Sequence, residues 1–467
     1  MTGLSQKTAS EISHLLQNQE ISPCDIMDDY IKRINNLNPT LNAFAHLDLE
    51  QAKQAALASQ KRWQNGTNLS PFDGVGFTAK DLMPAKNTPY RQASHLCSAD
   101  ICNEDAPAVT RMKELGMILL GKTTTCEFGH KGVTDSPLHG ISRNPHNPNK
   151  TCGGSSGGAA ISSACGFGHF HLGNDGGGSL RIPASFCGQY GFKPSPNIVP
   201  IYPSGWMSEM RLSTAGLISR DMNDLIIGMD IIAQSDARVS DKHHQQTFTQ
   251  GYEDQETQFK IGIADHIPNI ETTRFFDTEI LSYFALQAEK HLSPFAEIDK
   301  DSFYPNITDV FNIYWQQIAH FIVEDLSKKE RQKMDPHFLF WAARGANQTM
   351  YDITKAHHAR IEIKESMHRF FQEYDFLVCP TMGIAPLDIE TNAPTDAKGA
   401  LWHDWSPFTY LANLAELPAI SMPIGLDNQN LPIGLQIIAP KGHDKKLLHF
   451  AKKISAQLEP IKVIETL

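Results

Sequence analysis

The stretch from Cys152 to Pro194 constrains this chain more than any other. It runs Cys152-Gly-Gly-Ser-Ser-Gly-Gly158, passes through an Ala/Ser segment, and continues Gly173-Asn-Asp-Gly-Gly-Gly-Ser-Leu-Arg-Ile-Pro183. Glycine reaches φ > 0 without steric cost and leaves backbone N–H groups uncovered. Gly176, Gly177 and Gly178, directly before Ser179, can therefore aim several N–H donors at one point beside a hydroxyl. That is the geometry of an oxyanion hole. A flexible Gly/Ser linker has a similar composition. A linker, however, would not hold Asp175, Arg181, Pro183 and Phe186-Cys187 in fixed order between its glycines. The chain must then supply a base for Ser155 or Ser179.

Composition removes several classes of function. With 467 residues the chain is long enough to bury a sizeable core. The net charge of −11 is scattered, and no Lys/Arg run marks a nucleic-acid face. No window of about 18 apolar residues suggests a membrane span. The first residues, Met1 to Lys7, lack the apolar segment of a signal peptide. The eight cysteines show no CxxC pair, which suits reduced thiols and a cytoplasmic location.

Strand and helix patterns alternate along the chain, which predicts one α/β domain over 1–467 with a mixed sheet. Its parts are N-terminal helices over 1–65, a core over about 70–235, a variable region over about 240–400, and a sheet and helix over 401–467. Ser22-Pro23 with Asp25 predicts a helix start, and Pro39 a position just past its end. Gly74 to Asp81 predicts a strand that carries Lys80 and Asp81 to its C-terminal end, where sites gather in α/β folds. Gly116-Met-Ile-Leu-Leu-Gly-Lys-Thr123 fits the spacing of a phosphate-binding loop. Its central residues are strand-like, where that loop would have to be, so no nucleotide site is expected. A helix is expected over Ala159–Cys165, and a strand over Phe167–Leu172 that leads into a 174–179 loop. His169 and His171 in that strand lack a third ligand nearby and fit a strand with one buried and one exposed face. Residues 214–235 predict a linker strand and a helix, and 240–256 an exposed loop. Helices are further expected over 278–292, 310–326, 348–372, 405–414 and 444–458, with Trp315 and Trp341 in the core.

The segment Gly153-Gly-Ser-Ser-Gly-Gly158 … Asp175-Gly-Gly-Gly-Ser-Leu-Arg-Ile-Pro-Ala-Ser-Phe-Cys-Gly-Gln-Tyr-Gly-Phe-Lys-Pro194 resembles the signature of the amidase signature family. Likeness extends to Leu37–Phe44, Gly74–Asp81, Leu120–Gly129, Asn413–Pro423 and Leu431–Gln436, and leaves only about 240–400 without it. The resemblance implies an α/β fold in which helices flank a central mixed sheet on both faces. It implies hydrolysis of carboxylic amides by a Ser–cis-Ser–Lys triad. In this chain Ser179 would be the nucleophile, Ser155 the relay after a cis Gly154–Ser155 peptide, and Lys80 the general base. Backbone N–H groups from Gly176, Gly177 and Gly178 to Ser179 would form the oxyanion hole, with Asp175 and Arg181 as loop scaffold. Gly76 replaces the family's usual Pro, and Gly176 stands where many members carry Thr or Ile.

The implied chemistry is coherent. A serine hydroxyl is a weak nucleophile until a neighbour takes its proton. A lysine of ordinary pKa, about 10.4, is protonated at neutral pH and must be shifted down by its surroundings to act as base. No metal and no organic cofactor is required. The expected partner is a small-molecule amide, with no nucleic acid and no membrane, and a homodimer is an allowed assembly. Three functions compete: a stand-alone amidohydrolase, a glutamine-hydrolysing subunit of a tRNA-dependent amidotransferase, and an esterase or noncatalytic relative. In the amidotransferase type an acidic residue is implied at the position of Ser406, which favours the first. The noncatalytic reading would require a lost triad member, and none is missing. Segments 200–212 and 300–405 are expected to shape the pocket, with Pro203, Trp206, Met207, Trp402 and Trp405 as wall or core. An uncharged amide with an apolar acyl part is the expected substrate.

Overall fold

The computed structural model describes residues 3–239, 246–250, 258–267, 275–300, 304–305, 307–393 and 404–467. Its strands are β1 (Phe44–Leu47), β2 (Gly76–Lys80), β3 (Ile118–Thr123), β4 (Asp135–Ser136), β5 (Gly140–Ile141), β6 (Phe170–Asp175) and β7 (Tyr190–Lys193). Then follow β8 (Thr214–Ser219), β9 (Phe259–Ile263), β10 (Ala296–Asp299), β11 (Phe376–Pro380), β12 (Ala419–Leu426) and β13 (Pro432–Ile438). Among the described residues, eleven form one mixed sheet in the order β1-β3-β2-β6-β8-β7-β12-β13-β11-β9-β10, and β4 and β5 pair separately. The expected α/β architecture is present.

Successive strand residues face opposite sides. Phe376 and Val378 accordingly pack into one apolar cluster, and Leu377 and Cys379 into another. The first cluster takes in Ile26 and Tyr30 from the helix Pro23–Leu41, and Leu447 and Phe450 from the helix Asp444–Ser455. The second gathers Phe311 and Trp315 from the helix Thr308–Val323, and Trp341 from the helix Pro336–Gly345. Burial on both faces explains why the inner strands β11 and β13 read as nearly continuous apolar runs.

Local signals place several elements. Ser22 accepts from Asp25 N while the Asp25 side chain accepts from Ser22 N, a reciprocal cap with Pro23 at the first helical position. Pro39 lies inside this helix, not past its end. The helix runs on to Leu41, which is buried with Leu37, and stops at Asn42 in the left-handed region. The helix expected over Ala159–Cys165 is present as Gly157–Ala164, starting two residues earlier.

Other boundaries shift. The predicted Phe167–Leu172 strand is β6, three residues later, because Gly166 and Gly168 adopt positive φ before it. Asn174 and Asp175, expected in a loop, end β6 and pair with Ala215 and Thr214. Sheet pairing overrides their poor strand propensity. The strand and helix expected over 214–235 are β8 and the helix Met222–Ile232, and the strand lies inside the sheet, buried between β6 and β7. The 405–414 helix is a 3₁₀ turn over Pro407–Thr409 followed by Tyr410–Leu414. Strand β1 and the helix Pro336–Gly345 were not anticipated. Most of the expected 240–256 loop lies outside the described residues.

Candidate active site

Strands β2 and β6 are parallel neighbours, so their C-terminal ends emerge at the same edge of the sheet. Lys80 ends β2, and Asp175 ends β6 just before the glycine turn that carries Ser179. Ser155 enters from the residues preceding the helix Gly157–Ala164, after a cis Gly154–Ser155 peptide. Lys80 Nζ lies 2.8 Å from Ser155 Oγ and 3.5 Å from the Asn174 carbonyl oxygen. Ser155 Oγ lies 2.9 Å from Ser179 Oγ. All three predicted residues therefore meet in one continuous chain of hydrogen bonds.

Exposure orders this chain from inside out: 0% for Lys80, 1% for Ser155 and 8% for Ser179. Burial lowers the Lys80 pKa to about 7, against the upward pull of Cys126 and Asp175. A substantial share of neutral amine is thus present near pH 7, as a proton acceptor requires.

The turn before Ser179 is held from below. The buried Asp175 carboxylate accepts from Gly178 N at 2.7 Å and Leu180 N at 3.1 Å. It also pairs twice with Arg181, Nε to Oδ2 at 2.9 Å and Nη2 to Oδ1 at 2.8 Å. Arg181 spends its remaining donors on Thr409 O, Gln436 Oε1 and Asn413 Oδ1, at 2.6–2.7 Å. Burial works to raise the Asp175 pKa, and the Arg181 guanidinium outweighs it, holding the carboxyl well below the usual range. The expected scaffold pair is thus a fully buried ion pair.

One glycine changes its expected role. The Gly178 N–H donates to Asp175 Oδ1 at 2.7 Å and is thereby committed to the scaffold. Gly178 is needed for its shape instead: φ is +120°, and a Cβ there would meet Thr409 Oγ1 at 2.4 Å. The N–H groups of Gly176, Gly177 and Ser179 make no hydrogen bond to the described turns and side chains. At Gly176 a Cβ would sit 2.2 Å from Met207 Cε. Met207 therefore occupies the space that a larger residue after Asp175 would need.

Ser155, Gly176 and Ser179 open onto a cavity of about 370 Å³. Leu82, Phe128, Ile201, Met207, Trp315 and Ile318 form much of its wall. Its other polar lining comes from Tyr90, Gln92, Asn174, Ser208 and Ser213, and no charged side chain lines it among the described residues. Trp315, expected in the core, is 3% exposed and also lines the cavity, anchored by Nε1 donating to His130 O at 2.7 Å. Trp341 is core. Of the candidate wall residues, Pro203 and Met207 line the cavity. Trp405 is buried, its ring stacked on Phe186. Trp402 and the side chain of Trp206 lie outside the described residues.

Of two other sequence features, the histidine pair departs from its expectation and Gly116–Thr123 meets it. His169 and His171 are both buried, so the strand has no exposed face there. His169 engages Tyr30 OH and Lys7 O, and His171 engages Thr78 Oγ1. In Gly116–Thr123, residues from Ile118 on are strand β3, and Lys122 pairs with Asp81.

Asn413, Gln436, Tyr90 and Gln92 were not foreseen as site residues. Gln436 left one signal, a polar side chain inside the apolar run Ile433–Ile438. A buried amide in a central strand needs partners, and here one of them is Arg181.

Comparison with known proteins places the chain in a family. A family model described as Amidase matches residues 25–448. The chain belongs to the amidase family. This amidase is 30% identical over 464 residues to an acylamidase of Rhodococcus erythropolis, covering 96% of this chain and 95% of that protein. It is 28% identical over 486 residues to a glutamyl-tRNA(Gln) amidotransferase subunit of Halothermothrix orenii, covering 97% of each. The amidase superposes on a bacterial aryl acylamidase of the amidase signature family with a TM-score of 0.86 at 25% identity, covering 97% and 96%. It shares its fold with 6-aminohexanoate cyclic dimer hydrolase, with a TM-score of 0.85 at 23% identity and 98% of each chain covered. The amidase is accordingly an amidohydrolase, a C–N hydrolase of the amide class. No described helix is long and apolar enough to cross a membrane.

Proposed function

We propose that this amidase is a stand-alone hydrolase of uncharged amides with an apolar acyl part, with Ser179 as nucleophile, Ser155 as relay and Lys80 as general base. The observation that carries this reading is the 2.8 Å and 2.9 Å chain from Lys80 through Ser155 to Ser179, which ends in a cavity with no charged lining among the described residues. Neutral Lys80 takes the Ser155 proton as Ser155 takes that of Ser179. Ser179 Oγ attacks the amide carbon, and the oxyanion faces the N–H groups of Gly176, Gly177 and Ser179. Such donors each contribute about 10²–10³ in rate. The proton held on Lys80 returns through Ser155 to the departing nitrogen, so ammonia or an amine leaves and Ser179 carries the acyl group as an ester. Water then attacks that ester by the same relay and releases the carboxylate.

Relatives named as glutamyl-tRNA(Gln) amidotransferase subunits support a second reading, a glutamine-hydrolysing chain that works with partner chains. Free glutamine carries an ammonium and a carboxylate, and the described lining offers neither a countercharge. Ser406, at the position where the amidotransferase type is expected to be acidic, is buried with Oγ 2.6 Å from Tyr410 OH. Stand-alone hydrolysis therefore fits better. The eight free thiols suit the expected cytoplasmic location.

The test is a panel of neutral aliphatic and aryl amides beside glutamine and charged amides, read as ammonia or amine release, with a fluorophosphonate trap mapped by peptide. Neutral amides should be cleaved and the label should sit on Ser179. Turnover of charged amides alone, or activity only with a copurifying chain, would overturn the proposal.

The pH profile supplies a second test. Lys80 acts only when neutral, and its pKa is about 7. With a neutral amide, kcat/KM should rise about tenfold per pH unit below that value and level off above it. Lys80→Met should remove most activity and the limb with it. A limb that survives in this variant would assign the titration to another group.

A further inference from the structure

A second buried lysine lies near the site and has no step in the relay. Lys122, at the end of β3, is fully buried with Nζ 3.2 Å from Asp81 Oδ1. Asp81 directly follows Lys80. Joining β2 to β3 does not need this pair, because the strands are already bonded and Asp81 N donates to Thr123 O at 3.0 Å. What the Asp81 carboxylate adds is a grip on another segment. Oδ1 accepts from Arg91 N at 3.4 Å and Oδ2 from Ala93 N at 3.2 Å. His139 Nε2 is 3.9 Å from Oδ2.

The gripped segment has a shape it would not choose. Gln92 and Ala93 are consecutive side-chain-bearing residues in the left-handed region, with φ of 49° and 55°. That region is disfavoured for residues with a Cβ, and two in succession persist only where neighbours hold them. The result is that Tyr90 and Gln92 both face the reaction cavity. Lys122 Nζ lies 5.5 Å from the centre of the Tyr90 ring. Gln92 O accepts from Phe128 N at 3.0 Å, which ties the segment to another wall residue.

We propose that the buried Asp81–Lys122 pair positions the 90–93 segment so that Tyr90 and Gln92 read the polar groups of the bound amide. This rests on the cavity being the amide site. Tyr90 and Gln92 add a hydroxyl and an amide to a wall whose other polar groups, beside the two serines, are Asn174, Ser208 and Ser213, and such groups held at fixed places discriminate among substrates of equal bulk. The cation matters because a buried carboxylate without a partner is strongly disfavoured. Without Lys122, the Asp81 carboxylate would be left buried without its cation, and its grip on Arg91 and Ala93 would loosen.

The experiment uses the full chain as Lys122→Met, Lys122→Arg, Tyr90→Phe and Gln92→Ala. Kinetics with a long neutral acylamide are counted per serine reactive to a fluorophosphonate. Lys122→Met should raise KM about tenfold or more, leave kcat within about threefold, and leave the acid limb of the pH profile in place; Lys122→Arg should restore most of the KM. Tyr90→Phe and Gln92→Ala should raise KM in the same direction, and they carry the test if Lys122→Met does not fold. An unchanged KM per reactive serine, with only thermal stability lowered, would overturn the proposal and leave the pair as a brace. A fall in kcat with a displaced acid limb would overturn it in favour of a direct effect on Lys80. A wild-type chain that fails to label would overturn the serine relay itself, so the two failures are distinguishable.

Discussion

Ser179→Ala is expected to lower kcat/KM by ~10⁴-fold or more, because it removes the hydroxyl proposed to form the acyl ester. The substitution removes one oxygen whose side-chain partner is Ser155 Oγ. The turn itself is held by backbone groups, Asp175 and Arg181, which the variant keeps. Stability should therefore change by about 1 kcal/mol or less. Steady-state amide hydrolysis and a thermal melt check both halves. Residual activity near wild type, or a label on another residue, would dismiss Ser179 as nucleophile. A large loss of stability would show that the hydroxyl braces the turn as well. Ser155→Ala is the matched control: the nucleophile remains, but its path to Lys80 is cut.

Arg181→Met should cost about 3–5 kcal/mol of stability, the cost of leaving one member of a buried ion pair alone. Arg181 and Asp175 are both fully buried, and arginine's five donors are distributed over four partners here. Methionine fills part of the volume and satisfies none of them. Asp175 would stay in the interior without its cation, and the turn that presents Ser179 would loosen. The pH dependence gives a second signature. In the wild type the Asp175 pKa is depressed, so its stabilisation is present above the unfolded value of about 3.9 and is lost as pH falls through the lower folded value. In Arg181→Met the depression disappears and burial raises the pKa, so the deficit should shrink in acid. Denaturant titrations of both proteins at neutral and acid pH check this. Equal midpoints at neutral pH would mean the pair contributes no net stability.

Much of the site was legible because its chemistry depends on residue type at close spacing. The glycines around Ser155 and Ser179 mark backbone that must turn sharply, and the signature text named Lys80 as the base. What remained hidden depends on strand pairing. Asn174 and Asp175 have the composition of a loop, yet β8 takes them into the sheet. Gly178 looks like a third oxyanion donor beside its neighbours, and only the position of the Asp175 carboxylate shows where its N–H goes. Trp315 reads as core by its helical spacing, and the helix Thr308–Val323 sets its edge against the cavity.

By itself, then, the amino-acid order determined the alternation of strands and helices and the two glycine turns, which short-range backbone sterics suffice to state; Lys80, Ser155 and Ser179 came together as a set only through the resemblance to the amidase signature. Tertiary structure alone decided the distances within the relay, the neutral lining of the cavity, and the partners of Arg181, which come from more than 200 residues away in Thr409, Asn413 and Gln436. It also decided that Lys122 faces Asp81. Parallel pairing of β2 with β3 and β6 brings Lys80, Asp81, Lys122 and Asp175 to one edge. Burial at that edge lowers the Lys80 pKa to about 7, and Lys122 there faces the Asp81 carboxylate.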